Sequence, residues 1–573
     1  MSHTMKLFYS VRSMVLPAVL LAVAAASGAV AQPSAAAGPV DLPIVAPVMD
    51  CTQLALADFS ALKDAPLHIA LAAPVPDAQP APYCRVVGSV SPKVNFEVHL
   101  PLAGWTQRYL QSGCGGLCGN LNVRVGNADG CIPAQRGELA VASTDMGHRS
   151  GEGVWQEDPQ ARIDFAYRGV HVTALAAKAL IEKFYGQKPK YSYFAGCSDG
   201  GREALMEAQR FPEDFNGITA GAPAMNFITQ NTFYHGWNAR VNTGADGAAI
   251  LTADILPVLH TAAVAACDEL DGLKDGLIDD PRACKFDPAA TLCKPGQDPG
   301  TCLTAAQVDV ARKLYQGAHD AKGQQLVISG PQPGSELAWR GVYVPSAPGQ
   351  GIMSTQISTE VIKYMAFAKN PPAQYTLADF PFDQATFNAI APMHAIYDST
   401  NPDLAVFSDA GGKLILWHGW SDPHISPLNT IAYYKAMQTL MGEQRVARFT
   451  RMYLFPGGYH CGGGDGPFTV DLLSPIMAWV ESGSAPNALL ASHTAGGPDA
   501  AGGRGGRGRR GGPDGRGGRG GPDGFQAAAQ EPTGRGSGPV RPTVDRTRPV
   551  FPYPQVARYR GNGSIDDAGN FQA

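Results

Sequence analysis

Charge is scarce and nearly balanced in this 573-residue chain. Lys and Arg number 45 against 50 Asp and Glu, 17% of residues together, giving a net charge of −5 at pH 7. The bulk of the protein therefore lacks any general affinity for nucleic acid or an anionic membrane. Long apolar runs are missing as well. The run from Met14 to Ala26 is too short for a typical membrane span, and no second candidate occurs. With Lys6 and Arg12 before it and Ala29-Val30-Ala31 after it, residues 1–31 read as a secretory signal. The expected mature protein is soluble and exported, either secreted or periplasmic. Length is not lacking: the chain exceeds one ordinary domain and can bury a large core.

An even cysteine count is also missing. Export favours disulfides, and 11 cysteines leave at least one thiol over, or one bridge to another chain. Placement suggests the pairs Cys51 with Cys84, Cys267 with Cys284, and Cys293 with Cys302. Cys114, Cys118 and Cys131 form a trio that spacing does not resolve. Cys197 and Cys461 remain.

Against these absences stands one stretch, Tyr191-Ser192-Tyr193-Phe194-Ala195-Gly196-Cys197-Ser198-Asp199-Gly200-Gly201. A β-branched and aromatic run passes through Gly-Cys-Ser-Asp-Gly into a helix-forming run from Arg202 to Arg210. This is a strand, a sharp turn and a helix, with Ser198 at the apex of a G-x-S-x-G pattern. The glycines leave room for a tight turn. The residue after the serine opens a helix, so the Asp199 N–H is a natural donor to an oxyanion.

The remaining elements follow an alternating order. Strands are expected at Asn95 to Leu100, Arg108 to Gln111 and Glu138 to Thr144, then a helix from Ile163 to Tyr185. The elbow follows, then a strand from Asn216 to Pro223. This is a doubly wound α/β pattern, here the α/β-hydrolase type with a large insertion. The turn Gly113-Cys114-Gly115-Gly116 follows an early strand, where such enzymes place their second oxyanion donor; Gly115 and Gly116 are the candidates. His171 reads as a core or surface histidine.

Regular alternation lapses between about 226 and 405, which reads as an inserted lid within a core spanning 32–225 and 406–495. The lid carries Cys267-Asp268-Glu269-Leu270-Asp271-Gly272-Leu273-Lys274-Asp275-Gly276-Leu277-Ile278-Asp279. Asp268, Asp271 and Asp275 are spaced as on one helix face, but Gly272 and Gly276 oppose a helix. Repeated acids with glycines suit a hard, oxygen-seeking cation, and calcium is expected. A solvated acidic loop is the rival reading.

The sheet pattern resumes at Leu414 to Trp417, continuously apolar as in a strand buried on both faces, and Asp422 lies just beyond it. Arg451 to Phe455 is the next strand and leads to His460. Nucleophile, acid and base thus fall in the α/β-hydrolase order: Ser198, Asp422, His460. Cys197 precedes the proposed nucleophile and Cys461 follows the proposed base. A serine that meets its histidine brings these neighbours within disulfide range, so a Cys197–Cys461 bridge is expected.

Cys-Ser-Asp at 197–199, His-Cys at 460–461 and the Asp of His-Gly-Trp-Ser-Asp-Pro together resemble the tannase and feruloyl esterase family. That family includes the hydrolase of mono(2-hydroxyethyl) terephthalate. The resemblance spans roughly Cys51 to Glu481, with an echo from Phe551 to Asp567. It implies a disulfide-linked Ser/His/Asp triad, a lid after the elbow and structural calcium in that lid. Asp268, Asp271 and Asp275 would give carboxylates, and Leu273 and Leu277 backbone carbonyls. The Asp199 N–H and one glycine of the Gly113–Gly116 turn would form the oxyanion hole. His418 and Ile425 would line the substrate's acyl pocket. The chain departs from plainer glycine-rich forms in carrying Cys114 and Cys118.

Residues 496–540 are Gly/Arg-rich and cannot bury a core, so disorder is expected there, with 541–573 packing back on the core. The expected function is hydrolysis of esters of aromatic acids: feruloyl or another hydroxycinnamoyl, galloyl, or terephthaloyl monoester. The rival is an exported polyanion-binding protein that uses the Arg-Gly segment on a non-catalytic fold. No nucleic-acid partner or membrane span is expected.

Overall fold

The computed structural model describes residues 38–495 and 543–573. The expected signal segment 1–31 and the Gly/Arg-rich stretch 496–540 lie outside the described residues. A nine-stranded sheet forms the frame. Its strands are β1 (Leu67–Val75), β2 (Tyr83–Val90), β3 (Val94–Pro101), β4 (Arg108–Ser112), β5 (Leu139–Thr144), β6 (Tyr191–Cys197), β7 (Gly217–Gly221), β8 (Lys413–Gly419) and β9 (Thr450–Phe455), ordered β1-β2-β3-β5-β4-β6-β7-β8-β9. The first three strands and β5 pair antiparallel, whereas β5, β4, β6, β7, β8 and β9 run parallel.

Burial follows this division. β2 and β3 alternate buried with half-buried residues, while β4 and β7 are buried at every position and β8 at all but its first. Parallel strands are covered on both faces by crossover helices, so they read as continuous apolar runs. The β1–β2 hairpin was not expected from the sequence.

Four helices flank the functional edge: α1 (Gly169–Tyr185), α2 (Asp199–Arg210), α3 (Pro427–Met441) and α4 (Leu473–Ser482). The helix expected from Ile163 to Tyr185 is present, starts four residues earlier at Pro159 and carries a π-helical turn. A helical turn at Pro159–Ile163 passes into a π-helical turn at Asp164–Arg168 before α1 begins. The cause lies in a neighbour: the Arg202 guanidinium donates to the Phe165 carbonyl at 3.0 Å and the Ala166 carbonyl at 2.6 Å.

Between β7 and β8 the chain leaves the sheet. Helices at Leu256–Cys267, Ala305–Gln316, Met353–Tyr364 and Gln384–Tyr397 fill this interval. A separate apolar cluster around Leu259, Val308, Leu314, Trp339 and Tyr343 holds part of it together. A small sheet of β10 (Thr469–Val470), β11 (Leu489–Ala495) and β12 (Thr543–Val550) joins the C-terminal segment to the rest. Tyr553 then donates its N–H to the Met452 carbonyl on β9 at 2.7 Å. No helix of the described residues is long and apolar enough to cross a membrane.

Candidate active site

Ser198 stands between β6 and α2 with φ 65° and ψ −121°. A non-glycine residue at such angles is strained, and tight packing holds it there. A Cβ on Gly196 would lie 2.2 Å from the Gly200 carbonyl oxygen, and one on Gly201 would lie 2.3 Å from that of Gly221. Glycine at both positions lets the turn close and lifts the serine clear of the strand.

Helix α2 begins at Asp199, the residue after the serine, as expected, and its first N–H groups lie beside the serine. The Asp199 carboxylate turns away from the site into a bidentate pair with buried Arg202, at 2.6 and 2.9 Å. Arg202 also lies over the rings of Phe165 and Phe227.

The glycine turn packs against the elbow. The Gly200 N–H donates to the Cys114 carbonyl at 2.7 Å, and the Gly113 N–H to the Ala195 carbonyl at 2.9 Å. A Cβ on Gly200 would meet the Cys114 carbonyl oxygen at 2.9 Å. Gly115 and Gly116 are exposed and beyond these anchors. The unresolved cysteine trio separates here: Cys114 bonds to Cys118 across the turn, and Cys131 is free and buried. Burial pushes the Cys131 thiol up to about 11, which makes it inert. Beneath the turn lies the fully buried Glu203. Its carboxyl accepts the Cys114 N–H at 3.4 Å and is pushed well above its usual range by burial and the Asp199 charge.

Asp422 follows β8 and His460 follows β9, so both meet the C-terminal edge of the sheet where Ser198 stands. His460 Nδ1 lies 2.7 Å from Asp422 Oδ2. Asp422 Oδ1 accepts the N–H groups of His424 at 2.7 Å and Ile425 at 3.1 Å. Burial is the largest influence on Asp422 and favours its neutral form. The charge of His460 and the hydrogen bonds from His418 and His460 outweigh burial and hold the carboxyl far below its usual range. The group is therefore a fixed anion. A disulfide joins Cys197 to Cys461, with their Cα atoms 5.9 Å apart. It ties the residue before the serine to the residue after the histidine. The three local pairs, Cys51–Cys84, Cys267–Cys284 and Cys293–Cys302, are present as expected.

Two expected substrate contacts are corrected. His418 is fully buried behind Asp422, with Nδ1 2.8 Å from Thr430 Oγ1 and Nε2 3.0 Å from Asp422 Oδ2. Ile425 is 3% exposed, and its carbonyl lies against His418 Nε2 at 3.1 Å. Both side chains are buried rather than open to a substrate. Residues that sequence reasoning did not assign a role in the site stand nearer to the base. The His424 ring centroid is 4.5 Å from that of His460, and His235 from the inserted stretch lies 6.1 Å from His424. The Tyr234 hydroxyl donates to the Pro423 carbonyl at 2.9 Å, fastening the insertion to the acid's loop. His424 carries a faint signal in its place two residues after the acid; His235 and Tyr234 carry none. His171 lies apart, bonded to Asp214 and stacked on Phe211.

The acidic loop is a short 3-10 turn at Asp268–Asp271, followed by Gly272 and Gly276 at φ 89° and 82°. Asp268 accepts the N–H groups of Asp275 and Gly276, Asp271 that of Leu273, and Asp275 that of Leu277. Arg548 pairs with Asp275 at 2.6 Å. Burial, followed by the charges of Asp275 and Asp268, still raises the Asp271 carboxyl above its usual range. An oxygen-rich donor set in mutual repulsion fits a hard divalent cation.

A family model described as tannase and feruloyl esterase matches residues 79–573. The mono(2-hydroxyethyl) terephthalate hydrolase of Piscinibacter sakaiensis is 30% identical over 580 residues, covering 90% of this chain and 87% of that protein. An uncharacterized esterase of Xanthomonas campestris is 32% identical over 538 residues, covering 86% and 84%. The crystal structure of feruloyl esterase B from Aspergillus oryzae superposes with a TM-score of 0.71 at 26% identity, covering 91% of this chain and all of that one.

Proposed function

The chain belongs to the tannase and feruloyl esterase family and is a carboxylic ester hydrolase of that type, and from this premise we propose that Ser198, His460 and Asp422 form its catalytic triad. The observation that carries the reading is the clipped edge of the sheet. A strained serine elbow is joined through Cys197–Cys461 to a histidine bonded to a buried, ionised aspartate.

His460 takes the proton of Ser198 as the serine oxygen attacks the ester carbonyl, and Asp422 stabilises the imidazolium that forms. The Asp199 N–H and that of Gly115 or Gly116 receive the oxyanion. His460 returns the proton to the departing alcohol, then activates the water that releases the acid from Ser198. The substrate class is esters of aromatic acids, with hydroxycinnamoyl, galloyl and terephthaloyl monoesters as the candidates. The support is that relatives are named for feruloyl and terephthalate esters. The stretch from 226 to 405 acts as a lid, supported by the contact of Tyr234 with the acid's loop. Asp268, Asp271 and Asp275, with the carbonyls of Leu273 and Leu277, would hold calcium, which supplies structural counter-charge. Five disulfides suit export to an oxidising compartment. The polyanion-binding alternative is not retained for a chain of this enzyme family.

A panel of feruloyl, galloyl and terephthaloyl monoesters, with Ser198→Ala as blank, tests the substrate class. Turnover of one aromatic series well above acetyl esters of the same alcohol is expected. Hydrolysis restricted to acetyl esters would overturn it.

A further inference from the structure

Two imidazoles, not one, are bonded to the same oxygen of Asp422. His460 Nδ1 reaches Oδ2 at 2.7 Å and His418 Nε2 reaches it at 3.0 Å. His418 lies on β8 with its side chain fully buried, so a substrate in the site does not touch it. Its Nε2 faces acceptors alone, the Asp422 carboxylate and the Ile425 carbonyl, and must carry the hydrogen. Its Nδ1 lies 2.8 Å from the Thr430 hydroxyl on α3, which can donate or accept and so fixes the ring's orientation from the other side. The other donors to Asp422, the His424 and Ile425 N–H groups, belong to the turn itself. The His418 bond is the one a side chain adds.

We propose that His418 is a positioning residue for the hydrolytic reaction. By sharing Oδ2 with His460 it holds the carboxylate in one rotamer and draws off part of its negative charge. It thereby tunes how strongly the carboxylate holds the His460 imidazolium. The proposal rests on the triad reading above and goes one shell deeper.

Other groups around the pair do not supply this adjustment. His235 is pushed down to about 3, and His424 well below its usual value, by burial first and the His460 charge second. Tyr234 and Tyr343 are pushed well above theirs by burial. All four are neutral across the working range. An N–H donor removed from a carboxylate leaves a stronger base beside the imidazole, so the imidazole keeps its proton to higher pH.

The test is the pH dependence of kcat and kcat/KM for a soluble aromatic ester. His418→Phe keeps the ring and loses the donor. It should lower plateau kcat on the order of tenfold, the equivalent of one hydrogen bond. KM should be unchanged, and the acid limb of kcat/KM should move up by about half to one pH unit. His418→Gln, whose amide N–H reaches the Nε2 position, should recover most of both effects. Thr430→Val should move the limb in the same direction by less. Wild-type kcat and an unmoved acid limb in folded His418→Phe and Thr430→Val would overturn the proposal. If His418→Phe does not fold, Thr430→Val and His418→Gln decide it: an unmoved limb in the first, or a limb fully displaced in the second, is fatal. Ser198→Ala run in parallel separates the two readings. Turnover there breaks the triad itself, whereas a silent Ser198→Ala with an unmoved limb in the other variants breaks this proposal alone.

Discussion

The catalytic edge and the acidic loop both gather carboxylates, yet Asp422 is driven far below its usual range while Asp271 and Asp279 are driven above theirs. Burial pushes Asp279 up to about 7, with the neighbouring Asp271 adding to it. Asp422 is more deeply buried, but four donors from its own chain converge on it. At the edge the protein supplies its own counter-charge and closes the arrangement with a disulfide. In the loop the carboxylates accept backbone N–H groups and raise one another, and Arg548 answers one of them. The difference teaches how the same group, a buried carboxylate, is held ionised where donors converge on it and pushed toward its neutral form where other acids are its neighbours.

The edge, being self-sufficient, should break by substitution and ignore chelators. Ser198→Ala carries the largest expected effect, a loss on the order of 10⁶ in kcat with the fold intact. His460→Ala should be comparably damaging, and an active variant would pass the role to His424, whose ring lies beside that of His460. Asp422→Asn should cost on the order of 10⁴.

The clip comes next. The Cys197–Cys461 peptide pair should appear by mass spectrometry before reduction, and the Cys197→Ala, Cys461→Ala double variant should lose activity beyond what its folded fraction explains. Chain-entropy arithmetic for so long a loop gives roughly 5 kcal/mol as an upper figure for stability. A slip of about 1 Å at the reacting groups adds on the order of a hundredfold in rate. The Cys51→Ala, Cys84→Ala variant sharpens the contrast, since it should cost stability alone. Equal specific activity per folded molecule in both double variants would show that the clip does not position the site.

The loop should behave in the opposite way. A chelator should lower Tm, and calcium at about a hundred times its Kd should restore roughly 2.7 kcal/mol. Activity should follow the folded fraction. An unchanged Tm, with no metal by elemental analysis, leaves Arg548 as the loop's answer. The smallest effect is expected from replacing residues 496–540 by a short linker, with turnover of a soluble ester unchanged.

The parallel half of the frame was legible because strands buried on both faces read as unbroken apolar runs, as Leu414 to Trp417 does. Ser198, Asp422 and His460 were legible as candidates because each stands at or past the end of such a run, and the Cys197–Cys461 bridge because its cysteines flank two of them. The β1–β2 hairpin was hidden at the sheet's edge. Most of β1 is half-buried or exposed, its register shifts between Ile69 and Leu71, and it contains Pro74. The start of α2 at Asp199 was legible, but the close backbone approach that requires glycine at 200 and 201 was not, because it depends on chain brought in from elsewhere. His418 and Ile425 were misplaced for a geometric reason. Adjacency to Asp422 gives distance from the strand end but not the side to which a pleated strand turns each side chain. Spacing could not pair Cys114 with Cys118, since the fold of the glycine turn decides it.

The most direct measurement is to trap the acyl-enzyme. The protein is mixed with a nitrophenyl ester of an aromatic acid, quenched early, digested and mapped by mass. The expected result is a burst of about one equivalent of nitrophenol, with the aromatic acyl mass on the peptide carrying Ser198 and none on that peptide in Ser198→Ala. An acyl group on a different residue, or steady turnover by folded Ser198→Ala, would contradict it.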